Sequence, residues 1–174
     1  MCSDNLTTAF IYKITIFFCR FPYMGVSIGL AIKKEIVLGI VYNPMLNKMY
    51  SARKGKGAYC NNTRLQVSGI EDISEALLIV EVGSNPDPKK MELVFNNINS
   101  LVRKAHSMRS MGSAALNMCA VAAGEAEAYY EFGIHCWDMA AGLLIVQEAG
   151  GVVVDTEGKI QHHNIVYSSL MKLS

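Results

Sequence analysis

Apolar and polar positions change rhythm along this chain, and the change divides it. Residues 23–32 and 36–42 are short apolar stretches rich in Val and Ile, separated by Lys33-Lys34-Glu35. That pattern predicts two paired strands joined by a polar turn. Asn43-Pro44 ends the second strand, and Lys48-Met49-Tyr50-Ser51-Ala52-Arg53 reads as a third. Gly55 and Gly57 turn the chain before Ala58-Tyr59-Cys60, and Asn61-Asn62 marks another hairpin. Together these elements predict an antiparallel sheet.

After Ser68 the texture differs. Leu77-Leu78-Ile79-Val80-Glu81-Val82 is an almost unbroken apolar run, as in a strand covered on both faces. Pro86 and Pro88 precede a helix predicted from about residue 89 to 103, with Met91, Val94, Phe95, Ile98, Leu101 and Val102 at helical spacing. A short strand is expected over 106–111. Gly112-Ser113 then opens an alanine-rich helix to about Ala123, which Gly124 can cap. A strand over 128–132, a helix from Asp138 to Ala149 and a strand over 152–155 follow. Strands alternating with helices predict a layered α/β half, with a boundary near residue 75.

Residues 9–19 are strongly apolar but too short to span a bilayer as a helix, and Lys13 interrupts them. Asp4 occupies the place where a signal peptide would be basic, so the segment reads as a buried strand or an ill-fitting terminal piece. The chain has 174 residues, enough to bury a core. Half of them are apolar and 18% charged, which argues against disorder. A net charge of +1 and the short Arg53-Lys54-Gly55-Lys56 cluster give no basic track for nucleic acid. The five cysteines are scattered and form no C-x-x-C pair, which fits reduced thiols in a cytosolic protein rather than a zinc or redox motif. Cys119, inside an apolar helix, is expected in the core.

Chemistry concentrates near residues 129–152. A strand ends at Glu131, and the loop beyond it delivers Asp138 to the first turn of an apolar helix. Such strand-to-helix junctions are where α/β proteins bind small polar ligands or metals. Taken alone, an aspartate there serves the helix dipole and exposed amides more often than a ligand. Gly112-Ser113-Ala114 opens a helix after a strand, where free amides attract anions and hydroxyl-rich ligands, although Ser113 as a simple cap is the commoner case. His135 lies beside Trp137 without a nucleophile motif. His162-His163 lacks partners at metal spacing, and Gly55-Lys56-Gly57 is not a P-loop.

Longer motifs add to this. Arg20-Phe21-Pro22-Tyr23, Val26-Ser27-Ile28-Gly29, Val41-Tyr42-Asn43-Pro44, residues 52–61 and residues 109–118 resemble the inositol monophosphatase family. So does Trp137-Asp138-Met139-Ala140-Ala141-Gly142, which matches a W-D-x-A-A-G signature followed by Glu148-Ala149-Gly150-Gly151. The resemblance implies a layered α/β/α sandwich and Mg²⁺-dependent hydrolysis of inositol monophosphates in a cytoplasmic homodimer, with neither nucleic acid nor membrane as partner. It divides the chain into a divergent segment 1–19, an antiparallel α+β part 20–75 and an α/β part 76–174. It also implies that Asp138 binds metal and substrate, and that Glu131, Gly112, Ser113 and Ala114 bind inositol, with Ser84 nearby.

The chain departs from the family at both ends. The D-P-x-D-G-T motif expected before the R-F-P-[FY] segment is replaced by Thr15-Ile16-Phe17-Phe18-Cys19, and the pattern is lost again after Asp155. One carboxylate does not make an octahedral Mg²⁺ site. The expectation is a truncated or alternatively spliced form, inositol monophosphatase by descent and catalytically impaired. The alternative is a non-catalytic partner that pairs with a full-length homologue.

Overall fold

A computed structural model describes residues 8–13, 21–83, 86–155 and 170–171. Residues 1–7, 14–20, 84–85, 156–169 and 172–174 lie outside the described residues, among them Arg20, Ser84, His162 and His163. The first sheet has six antiparallel strands in sequence order: β1 (Thr8–Lys13), β2 (Val26–Ile32), β3 (Glu35–Asn43), β4 (Lys48–Arg53), β5 (Ala58–Cys60) and β6 (Thr63–Arg64). The start of the apolar N-terminal segment is thus a strand, paired with β2 from Thr8↔Ala31 to Lys13↔Val26.

Lys33 and Lys34 alone make the β2–β3 turn, both with positive φ, while Glu35, expected in the turn, already pairs with Ile32. Two left-handed residues in a row match the right-handed twist of the flanking strands. Asn61 and Asn62 repeat the device between β5 and β6, with side chains that tolerate this conformation better than lysine.

The second sheet has the order β10-β11-β9-β7-β8. Its strands are β7 (Leu77–Val80), β8 (Ser107–Arg109), β9 (Ala128–Tyr130), β10 (Val153–Val154) and β11 (Leu170–Met171). β7 runs parallel to both β8 and β9. Helices α1 (Pro88–Leu101), α2 (Ala114–Ala122) and α3 (Cys136–Glu148) fill the layers. Asp87 caps α1 by accepting from the amide of Lys90 at 2.9 Å, and Pro88 takes the first helical position. Val94 is its one fully buried residue. Phe95 and Val102, expected on the buried stripe, are 54% and 56% exposed; Val94 is enclosed, and Ile98 and Leu101 pack against the second sheet.

The main core lies between the sheets. All nine residues of α2 are buried, Cys119 among them, and α3 is buried from Met139 to Val146. Helix α3 lies directly on β2 and β3, where Gly29 and Gly39 pair across the strands. A Cβ on Gly39 would stand 2.6 Å from the carbonyl oxygen of Ala141, and one on Gly29 would stand 2.8 Å from the Cβ of Ala140. On its other flank, a Cβ on Gly142 would stand 2.5 Å from the sulfur of Met118 in α2. Glu148 at the end of α3 accepts from the amides of Gly55 and Gly57 at 2.6 and 2.7 Å, tying the helix to the β4–β5 turn.

Substituting Gly39→Ala places a methyl group against helix backbone that cannot rotate away. The variant is expected to lose about 1–3 kcal/mol or more of stability, the range for overpacked cores, read as a shift of the denaturant midpoint at unchanged slope.

Candidate functional site

The carboxyl ends of β7 and β9 and the amino ends of α1, α2 and α3 meet at one edge of the second sheet. They enclose a cavity of about 600 Å³ whose lining includes Glu81, Lys90, Gly112, Ala114, Glu131 and Asp138. Ligands of open α/β sheets sit beyond the carboxyl ends of the strands, and this cavity has that placement.

Each carboxylate arrives by a different route. Glu81 follows β7 directly and is 7% exposed. Its Oε1 accepts from the amides of Met111 and Gly112, both at 2.7 Å, and from the side-chain amide of Asn117 at 3.0 Å; its Oε2 accepts from the Ser110 hydroxyl at 2.8 Å. A buried carboxylate is tolerable when its lone pairs are satisfied in this way. The consequence for α2 is direct. The amide of Gly112, at the start of the segment the sequence offers as an anion site, and that of Met111 before it already donate to Glu81.

Glu131 follows β9, and its Oε2 accepts the Tyr129 hydroxyl. Burial pushes the Glu131 carboxyl above the usual range; the nearby Glu81 and Asp138 charges act in the same direction, while the Tyr129 hydrogen bond and Lys90 oppose it. Burial also raises the Tyr129 phenol well above its ordinary value, with the Glu131 charge adding to the effect. Asp138 is the third residue of α3, since the helix begins at Cys136, two positions before the predicted start. Its Oδ2 accepts from the amide of His135 at 2.8 Å, the reach of a first-turn carboxylate back to the capping residue. The structural role weighed for this aspartate is therefore present, alongside its place on the cavity wall. The His135 and Trp137 rings stack at the cavity, 4.6 Å between centroids and 5° from parallel, with Trp137 41% exposed.

Of the residues singled out from sequence, Gly112, Ala114, Glu131 and Asp138 line this one cavity. Ser113 stands behind them at 1% exposure. It is the capping residue of α2, but its hydroxyl makes no cap bond and has no hydrogen-bond partner. Sequence reasoning passed over Glu81, Lys90 and Ser110. The one signal for Glu81 was its charge within an apolar run. Among the described residues, no group of three or more His, Cys, Asp or Glu side chains is placed to hold a metal ion. No helix among them is long and apolar enough to cross a membrane.

Two variants probe the electrostatics. Glu81→Ala leaves two part-buried amides, the Ser110 hydroxyl and the buried side chain of Asn117 without their acceptor, and is expected to cost about 1–3 kcal/mol, measured by denaturant unfolding. Glu131→Gln tests the raised carboxyl. A group whose folded pKa lies above its unfolded value makes the folded state bind more protons, so its contribution to stability falls as pH rises between the two values. Glu131→Gln is expected to melt higher than the parent at pH 7, the gap closing as pH falls to about 4, near the ordinary carboxylate range. A gap independent of pH would contradict the raised value.

Comparison with known proteins bears on what this cavity serves. The family model described as "Inositol monophosphatase family" matches residues 7–173. Inositol monophosphatase 1 of Homo sapiens is 52% identical over 145 residues, covering 83% of this chain and 52% of that protein. The chain thus spans about half the length of the curated relatives it matches. Among solved structures, the Thermotoga maritima IMPase superposes with a TM-score of 0.83 at 31% identity, covering 97% of this chain and 63% of that one. SaIMPase-II with inositol monophosphate bound gives 0.83 at 26% identity, covering 98% and 66%.

Proposed function

The chain belongs to the inositol monophosphatase family, and from that premise we propose that its cavity binds the polyol part of an inositol monophosphate. The observation that carries the reading is the convergence of Gly112, Ala114, Glu131 and Asp138 on one cavity at the carboxyl edge of the parallel strands. An ionised carboxylate accepts hydrogen bonds from ring hydroxyls, and Glu131 has Oε1 available for this beside the Oε2 that Tyr129 occupies. The opening amides of α2 from Ala114 onward precede the first intrahelical acceptors and can donate to ligand oxygens. A structural relative carries inositol monophosphate, which supports the same ligand class here.

Hydrolysis is a separate matter. The family resemblance implies Mg²⁺, which asks for octahedral oxygen coordination. The described residues do not fit such a site. Glu81 is saturated by four protein donors, and Asp138 has one oxygen engaged by His135. No acidic cluster among them completes a cage. We read the phosphatase reaction of the family as impaired in this chain, whose described residues provide a ring-binding wall without a set of metal ligands. A cytoplasmic setting is part of the proposal, supported by the unbridged thiols of Cys60 and Cys119. So is pairing, with a second copy or with a full-length homologue that supplies the hydrolysis.

Calorimetric titration with inositol 1-phosphate and an assay of Mg²⁺-dependent phosphate release, on the same purified chain, separate the two statements. Binding is expected, with turnover far below the usual range of about 1–10³ s⁻¹. Ordinary turnover would refute impairment, and absence of binding would refute the cavity's assignment.

A further inference from the structure

Lys90 reaches the cavity from the first turn of α1, and it is the one lysine or arginine among the described lining residues. Its ammonium lies over a pair of glycines. A Cβ built on Gly83 would stand 2.6 Å from Nζ of Lys90, 3.3 Å from the carbonyl oxygen of Phe132 and 3.5 Å from Oε1 of Glu131. A Cβ on Gly133 would stand 3.5 Å from the same Nζ. Both glycines have positive φ, so side chains are excluded there by backbone conformation as well as by space. The notch above Gly83 thus holds a three-hydrogen donor beside an acceptor-only carboxylate.

The charges decide what fits. Ammonium and carboxylate compensate each other, and the Glu81 and Asp138 carboxylates line the same cavity. A second anion placed in the notch would meet net negative surroundings and gain little from Lys90. A pair of neighbouring hydroxyls suits it better: one hydroxyl oxygen accepts from Nζ while its neighbour donates to Oε1 of Glu131.

We infer that Lys90 and Glu131 form a clamp for a vicinal diol, with Lys90 a specificity-determining residue for the ring rather than for the phosphate. The inference rests on the reading of the cavity as a polyol site. It is tested by titrating the full chain separately with myo-inositol and with inorganic phosphate. Lys90→Met is expected to weaken inositol binding roughly tenfold or more, the loss of a hydrogen bond to a charged group, while leaving phosphate binding unchanged. Lys90→Arg keeps the donor and should restore part of the affinity. In the double variant with Glu131→Gln, the losses should fall short of additive. Should Lys90→Met not melt cooperatively, Lys90→Gln takes its place.

Inositol affinity unchanged in the variant would overturn the clamp and leave Lys90 a structural partner of Glu131 and Phe132. Loss of phosphate binding with inositol binding intact would overturn it in favour of an anion site. A parent chain that binds no inositol removes the polyol reading itself, and the clamp with it; a parent that binds inositol as well as the variant does removes the clamp alone.

Discussion

Helix α3 packs on the first sheet at a distance that leaves no room for side chains at the contact. Paired Gly29 and Gly39 let the backbone at Ala140 and Ala141 rest on β2 and β3, and Gly142 admits Met118 of α2 from the other side. Close-packed interiors do not deform continuously, so a helix held on two flanks has one depth and one rotation. Asp138 stands just ahead of these contacts. Its place on the cavity wall is therefore set from the core outward, with the Glu148 bonds to Gly55 and Gly57 fixing the other end of the same helix.

The cavity gathers carboxylates that would repel one another in an apolar setting, and it settles each by a different means. Glu81 is surrounded by donors, Asp138 borrows an amide from its own helix end, and Glu131 is opposed by burial and eased by Tyr129 and Lys90. The three are thereby chemically unequal. Glu81 serves to hold the 110–112 loop against β7, whereas among the described side-chain hydrogen bonds Glu131 has only its Oε2 engaged, by Tyr129. This inequality separates the part of the cavity that is scaffold from the part that stays open.

Much of the layered fold was legible in the sequence because its signals are local. Hairpins announced themselves through turn residues, and α2 and α3 through their apolar runs after a strand. Boundaries erred where side chains turn into the cavity. β7 and β9 end before Glu81 and Glu131, and α3 begins at Cys136 because its carboxylate acts from the third position. The stripe on α1 was read too wide, since a periodic pattern does not say how much of a helix its neighbour covers. At the site, Glu131 and Asp138 stood out by their spacing around one loop and by family motif. Glu81 was hidden inside an apolar strand. Lys90 carried no signal, because its position depends on two glycines from loops distant in sequence.

The saturation of Glu81 carries further. With the amides of Met111 and Gly112 already committed to Glu81, the loop ahead of α2 keeps neither N–H for a ligand, whereas the first amides of the helix itself, from Ala114 onward, stay open. The backbone groups left open at this end are therefore those of the first turn of α2. Substitution at Lys90 changes the side chains facing the cavity without touching the packed core of α2 and α3.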